Sequence, residues 1–314
     1  MSVFNAAYER VFKPKQLTLG FMTPFSNPVS HMADVASSLE LAALADRLGF
    51  AALWARDVPL MVPQGADNQA SAVDDPFVWL TAIATATEHI AIGAAAIVSP
   101  LRHPLHVAKA ALSIERISGG RFILGLGSGD RPEEFAAFDA DLEERKAAFQ
   151  QRWALIQAAL RPDANAQQWL REQTGGYDLM TPPERTVPML VVGSARQSVQ
   201  WIAEHAQAWA TYHREASRQH NRIRLWHQAL EQRASGEHKP FIQSLQLDLQ
   251  ADPSAEVEAI NLGMRCGRVA LIAYLKHLHE LGVGHVLINI AENGRSPADV
   301  ISELGMEVLP ALEG

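Results

Sequence analysis

The chain has 314 residues, a formal net charge of −8 at pH 7 and 48% hydrophobic residues, enough for a sizeable core. That charge argues against a general nucleic-acid or acidic-membrane binder, and no uncharged apolar run reaches the ~18 residues of a membrane span. Cys266 is the single cysteine, so an intramolecular disulfide is impossible and a thiolate metal cluster is not expected.

Residues 1–16 have no long apolar core and do not read as a secretory signal. They are expected as a lead-in wrapped on the surface of a cytoplasmic protein. Residues 17–21 (LTLGF) read as the first strand, ended by Met22-Thr23-Pro24. Residues 32–48 read as a helix with Leu39, Ala42, Ala43 and Leu44 on one face, stopped by Gly49. Strand two covers 51–54, with Arg56-Asp57 at its end. A polar loop, 59–74, leads to Asp75-Pro76, an N-cap and first helical position opening a helix over 77–87.

The stretch 90–130 holds a third strand (90–98) broken at Ser99-Pro100, a helix, Gly119-Gly120, and a fourth strand (122–127). The fourth strand runs into Gly125-Leu-Gly127-Ser-Gly129-Asp130, and the whole has the length of a parallel β-α-β unit. A long helix follows over 142–160, with Glu143-Glu144 suiting its N-terminus. The polar excursion 161–187 reads as a short hairpin. Strand five (189–192) is closed by Gly193-Ser194. Then come a helix (198–205), strand six (209–212), a helix (216–234), strand seven (240–249), a loop (251–266), a helix (269–281), strand eight (285–290) and a last helix (297–304).

Eight strand-helix pairs imply a parallel sheet, which at this length closes into a (β/α)8 TIM barrel forming one domain. The rival, a doubly wound open sheet, would carry a glycine fingerprint after its first strand. Here that position reads TPFSNPVSH, without glycine.

A barrel's site lies at the C-terminal ends of its strands. The candidates are therefore Met22-Thr23, Arg56-Asp57, Ser99, Ser128 to Asp130, Gly193-Ser194, Tyr212-His213 and Asn289. His103/His106 and His277/His279 lack a matching third ligand, so no metal is expected, and no GxSxG nucleophile elbow occurs. A mouth short of acid, base and metal suggests that a cofactor carries the chemistry. Gly125-Leu-Gly127-Ser-Gly129 misses the GxGxxG spacing by one place; its glycines would instead admit a ring system close to backbone. Gly193-Ser-Ala-Arg-Gln-Ser198, leading into a helix, offers free N–H groups and an arginine to an anion. Arg265-Cys-Gly267-Arg268 is the second candidate anion loop.

From residue 17 to 309 the chain resembles the bacterial luciferase-like flavin-dependent oxidoreductases, (β/α)8 barrels. The resemblance rests on Leu41-Ala-x-x-Ala-Asp-x-Leu-Gly-Phe50 with Leu53-Trp54, on Arg102-His-Pro104, on Ser118-Gly-Gly-Arg121, on Leu124-Gly-Leu-Gly-Ser-Gly129 and on Ile202-Ala-Glu-His205. It implies reduced FMN as cofactor, with a deazaflavin as the alternative. Ala95-Ala96 match the position of a non-prolyl cis peptide under the flavin ring, with Thr23 and Ser99 beside it. Ser128 matches a contact to the ribityl chain or phosphate, where luciferase carries a cationic residue. Arg145 matches an arginine that reaches the phosphate. Gly193, Ser194, Arg196 and Gln197 match the phosphate turn.

Two departures bear on activity. Asp57 stands where light-emitting members keep a catalytic histidine, and Gly127 where some carry a reactive cysteine. Light emission is therefore not expected, and Arg56 and Asp57 are the candidate catalytic pair; the other reading of that pair is a structural salt bridge. The resemblance implies an FMNH2-dependent monooxygenase that oxidises a small organic substrate with O2 through a C4a-peroxyflavin, fed by a separate flavin reductase. The loops 59–74 and 161–187 are candidate lids. Deazaflavin hydride transfer and a non-catalytic flavin-binding subunit are the alternatives. A homodimer is expected, with Phe77, Trp79 and Leu112 serving either an interface or the core.

Overall fold

The computed structural model describes residues 3–26, 32–62 and 73–313. Ten strands occur among them: β1 (Thr18–Thr23), β2 (Ala52–Ala55), β3 (Ala91–Val98), β4 (Phe122–Gly127), β5 (Met189–Val192), β6 (Ala208–Thr211), β7 (Phe241–Leu249), β8 (Glu258–Ile260), β9 (Gly263–Cys266) and β10 (Val283–Asn289). All but β8 and β9 form a closed barrel of eight parallel strands. Neighbours pair in chain order, and β10 bonds both β7 and β1.

The helices are α1 (Ala6–Val11), α2 (Val35–Arg47), α3 (Pro76–Ala86), α4 (Pro104–Ser118), α5 (Pro132–Ala137) and α6 (Arg145–Ala159). After them come α7 (Ala164–Gln173), α8 (Val199–His205), α9 (Ala216–Arg233), α10 (Arg268–Glu280), α11 (Pro297–Glu303) and α12 (Leu309–Glu313). Among the described residues no helix is long and apolar enough to cross a membrane.

Three expectations are corrected. Within 1–16, residues 5–12 are not a surface lead-in. Asn5 caps α1, whose Ala7, Tyr8 and Val11 join Phe12 in the cluster that fills the barrel's interior. Residues 161–187 hold a helix, α7, rather than a hairpin, because Asp163 accepts the Ala166 N–H as an N-cap. The loop expected at 251–266 contains the hairpin β8–β9, whose β9 lies parallel to the end of β7. Arg265 ties it down by donating to both Asp248 and Glu258. Phe77, Trp79 and Leu112 are buried in this chain's own core.

Inside the barrel the space is filled by one interlocked group. Trp54 Nε1 donates to His285 Nε2 at 3.0 Å, which places the imidazole proton on Nδ1. Nδ1 then donates to Thr18 Oγ1 (2.7 Å), and Thr18 donates to the Val11 carbonyl (2.6 Å). Complete burial pushes the His285 pKa down to about 3, so the ring is neutral. A Cβ at position 93 would stand 2.4 Å from the Trp54 ring, so that strand position has room only for glycine.

Two of the motif residues work as scaffold. The Asp46 carboxylate accepts the N–H groups of Glu88, His89 and Ile90, fixing the turn into β3. Arg121 donates to the carbonyls of Ala84, Thr87, Ile90 and Ser118 and to the Thr87 hydroxyl. Together they hold the start of β3 and β4 and so set where those strands end.

Candidate functional site

The mouth at the strands' C-terminal ends has two unlike halves. On the β3–β5 side its floor is made of small or apolar groups. The Ala95–Ala96 peptide is cis. The β3–β4 pairing slips there, Ala94 facing Leu124 and Ile97 facing Leu126, so two alanines stand against one strand residue. Both are half-buried, and Val192 of β5 is half-buried beside them. A Cβ at Gly127 would come within 3.3 Å of the Ala96 Cβ, so glycine keeps this floor flat.

Just beyond β5 the chain makes a tight turn. Gly193, Ala195 and Arg196 all have left-handed backbone, at φ 69°, 46° and 60°. For an alanine and an arginine this costs on the order of 1–2 kcal/mol each and persists where the surroundings enforce it. Three contacts do so: Trp209 Nε1 donates to the Gly193 carbonyl (2.6 Å), Gln197 N–H to the Ser194 carbonyl, and Gln197 Nε2 to the Ala195 carbonyl. The N–H groups of Ser194 and Ala195 have no partner among the described residues. Such a run of left-handed residues aims amides at one point, a concavity for an anion.

Buried Gln197 joins this turn to α6. It accepts from Gln150 Nε2 at 2.7 Å and donates to the Lys146 carbonyl. Arg145, the first residue of α6, is also buried; it donates to the Leu142 carbonyl, and its Nε has no partner. Ser128 is buried where β4 leaves the barrel. Ser99 is fully buried and reaches only the Gly127 carbonyl, at 3.5 Å. The Thr23 hydroxyl donates to the Trp54 carbonyl and accepts from Trp79 Nε1. The Thr23 hydroxyl is thus engaged within the protein, and Thr23 also lines the small cleft beside Arg56.

Arg56 and Asp57 do not pair with each other. Asp57 is buried, and both its oxygens take up Arg102, at 2.8 Å each. It also accepts the Val98 N–H at 3.1 Å, while its own N–H donates to the Ala96 carbonyl. Arg102 reaches on to Asp75 (2.7 Å). Burial opposes its charge, but the bonds and attraction from Asp57 and Asp75 outweigh that and raise its pKa. Asp57 thus braces the end of β3, and with it the alanine floor.

Ala52 and Trp54 face the barrel interior, so the alternation of β2 points Arg56 across the mouth. Arg56 also edges a small cleft with Thr23, Ala55 and Trp79. Its Nε is buried without a partner. Burial, and then Arg131, lower its pKa, opposed by Tyr212 and Glu292. Among the described residues no three His, Cys, Asp or Glu side chains gather as a metal site.

Residues 17–301 match the family model described as luciferase-like monooxygenase. The chain belongs to this family. It is 29% identical over 210 residues to the F420-dependent hydroxymycolic acid dehydrogenase of Mycobacterium tuberculosis, a match covering 60% of this chain and 54% of that one. It is 32% identical over 91 residues to the oxygenase component of the flavin-dependent trigonelline monooxygenase of Acinetobacter baylyi, covering 29% of this chain and 23% of the relative. These matches thus span roughly a quarter and about half of the curated relatives' lengths. Among solved structures, an F420-dependent secondary alcohol dehydrogenase in complex with an F420-acetone adduct superposes with a TM-score of 0.72, at 15% identity, over 95% of this chain and 99% of that one. At that identity the likeness speaks for the fold. The family therefore holds both monooxygenases and F420-dependent dehydrogenases among this chain's relatives.

The residues of the mouth fit a flavin-type group. Gly127 keeps open a shallow cradle that a Cβ would crowd, and Arg145 Nε and the Ser194 and Ala195 amides are donors awaiting acceptors. The sequence reading picked out Arg145 and the turn, but not Arg102 as the partner of Asp57. Nor did it assign Val192 a place in the floor. The only signal for Arg102 was its place in the Arg102-His-Pro104 motif.

Proposed function

We propose that the protein is a flavin-dependent oxidoreductase, specifically an FMNH2-dependent monooxygenase that oxidises a small organic molecule with O2. One observation carries the reading. A flat floor of Ala95, Ala96 and Gly127 lies at the same end of the barrel as a left-handed anion turn, Gly193 to Arg196. A planar ring with a phosphate tail needs those two surfaces together.

The bound flavin would supply the electrons that activate oxygen. The chain's own residues supply position and shelter. The Ser194 and Ala195 amides, the Arg196 side chain, Ser128 and Arg145 hold the phosphate end. Ala95, Ala96 and Gly127 bear the ring, and the packed Trp54–His285 layer keeps water out from below. Asp57, through Arg102, keeps the floor in register. Of the candidate lids, residues 63–72 of the loop 59–74 lie outside the described residues. The segment 161–187 packs against α4, where Lys109 donates to the Leu179 carbonyl.

A second reading, hydride transfer with a deazaflavin, is supported by the F420-dependent relative, whose match takes in 60% of this chain. An anaerobic titration with FMNH2 and with F420, followed by oxygen-electrode assays with a flavin reductase and NADH, separates the two. The monooxygenase reading expects FMNH2 binding and reductase-dependent, substrate-dependent oxygen uptake. F420 binding without FMN binding would transfer the assignment to hydride transfer.

A further inference from the structure

We infer that the substrate is a monocarboxylate whose carboxyl group is held by Arg56. What becomes of the substrate rests on the flavin reading above; the binding of the acid does not.

Three other arginines beyond the strand ends are already paired within the protein. Arg102 is paired with Asp57, Arg131 with Glu134 (3.0 Å), and Arg295 with Glu303 (2.7 Å). Arg56 enters no ion pair among the described residues, and its buried Nε meets no acceptor. Arg56 is half-buried, but its Nε is cut off from water without a counter-ion, and arginine cannot relieve that by losing its proton. Its lowered pKa reports that same desolvation. A side chain in this condition is suited to an anion that arrives from outside.

The kind of anion follows from the charges. Arg56 has no carboxylate at ion-pair distance among the described residues, so a single negative charge would complete it. Glu292, which attracts Arg56 from further off, would repel a dianion such as a phosphate monoester more strongly than a monoanion. The planar fork of a guanidinium matches a carboxylate with two parallel hydrogen bonds. The flavin phosphate has its own donors on the β5 side, in the turn and Arg145. On the neighbouring strand β1, half-buried Met22 offers an apolar contact, so an apolar body would lie behind the carboxyl group.

Calorimetric titration of the whole protein with benzoate against benzamide, and octanoate against octanamide, tests this. In each pair the shape is nearly kept and the charge is removed. The acids should bind at least about tenfold tighter than the amides. Arg56→Met should bring that ratio to about one, shift FMN affinity by less than about threefold, and leave Tm unchanged or higher, because an unpaired charge is lost. Arg56→Lys should keep part of the preference. Acid and amide binding alike, neither binding, or a preference that survives in Arg56→Met would overturn the inference. So would an Arg56→Met protein that loses FMN while keeping the preference. Failure of the flavin reading would show separately, as absence of FMN and F420 binding with the acid preference intact.

Discussion

Asp57 and Arg56 are neighbours in sequence with opposite fates. Asp57 is spent on Arg102, 45 residues further on, and breaking such a largely buried pair costs roughly 3 kcal/mol. Asp57→Asn should therefore lower the stability measured by urea unfolding by about that much and weaken flavin binding with it. Full stability with lost turnover would instead make Asp57 a catalytic group. Gly127 tests the floor more directly. Gly127→Ala should weaken flavin binding several-fold in a fluorescence titration with only a small drop in Tm, since its Cβ would press 3.3 Å from the Ala96 Cβ. The importance of Arg56 and Asp57 could be read from their position after a strand. Their division of labour could not, because the partner that separates them is distant in sequence.

Among the elements, the turn after β5 is the most specific. Arg196→Ala should raise the Kd for FMN by about tenfold while leaving riboflavin binding unchanged, because the loss concerns only the phosphate. Equal loss for both ligands would place the residue elsewhere. The barrel strands were legible because each is a short, largely apolar run, several of them closed by Gly, Pro or Ser as at β1, β3, β4 and β5, and the helices because of their caps. The misread parts share a cause. The segments of α1 and of β8–β9 are too short for periodicity to speak, and α7 is mostly polar, its buried face reduced to Gln167 and Leu170. Their structure comes from what they dock against: α1 on the barrel's interior cluster, β9 on the overhang of β7. The cis Ala95–Ala96 peptide was legible only through family resemblance, since two alanines in a buried strand carry no local signal.

At the scale of the whole molecule, two buried titratable groups pull stability in opposite directions. Glu115 accepts from the Asn5 side chain and the Phe122 N–H. Burial pushes its pKa up to about 7, against those two bonds. Its contribution is full below the ordinary value of 4.5 and is lost as pH rises through 7. His285, driven down to about 3, contributes above 6.5 and loses that contribution as pH falls. Glu115→Gln should therefore be less stable relative to the parent at pH 5 than at pH 8, by up to about 3 kcal/mol in chemical unfolding. The variant's own remaining loss below pH 6.5 would report His285 together with His213 and His227, which burial also lowers. A parent-to-variant difference that stays flat with pH would remove Glu115 from this account. The barrel's interior has a further consequence for how the chain is made. Thr18 is bonded to His285, 267 residues later, and the Tyr8 hydroxyl donates to the His238 carbonyl, 230 residues later. While the polypeptide is still emerging, β1 can pair with β2 and α1 can meet residues 115–122, but the Thr18 and Tyr8 contacts to β10 and His238 wait. The barrel closes only when β10 pairs with both β7 and β1, so these contacts belong to the slow, non-local end of folding.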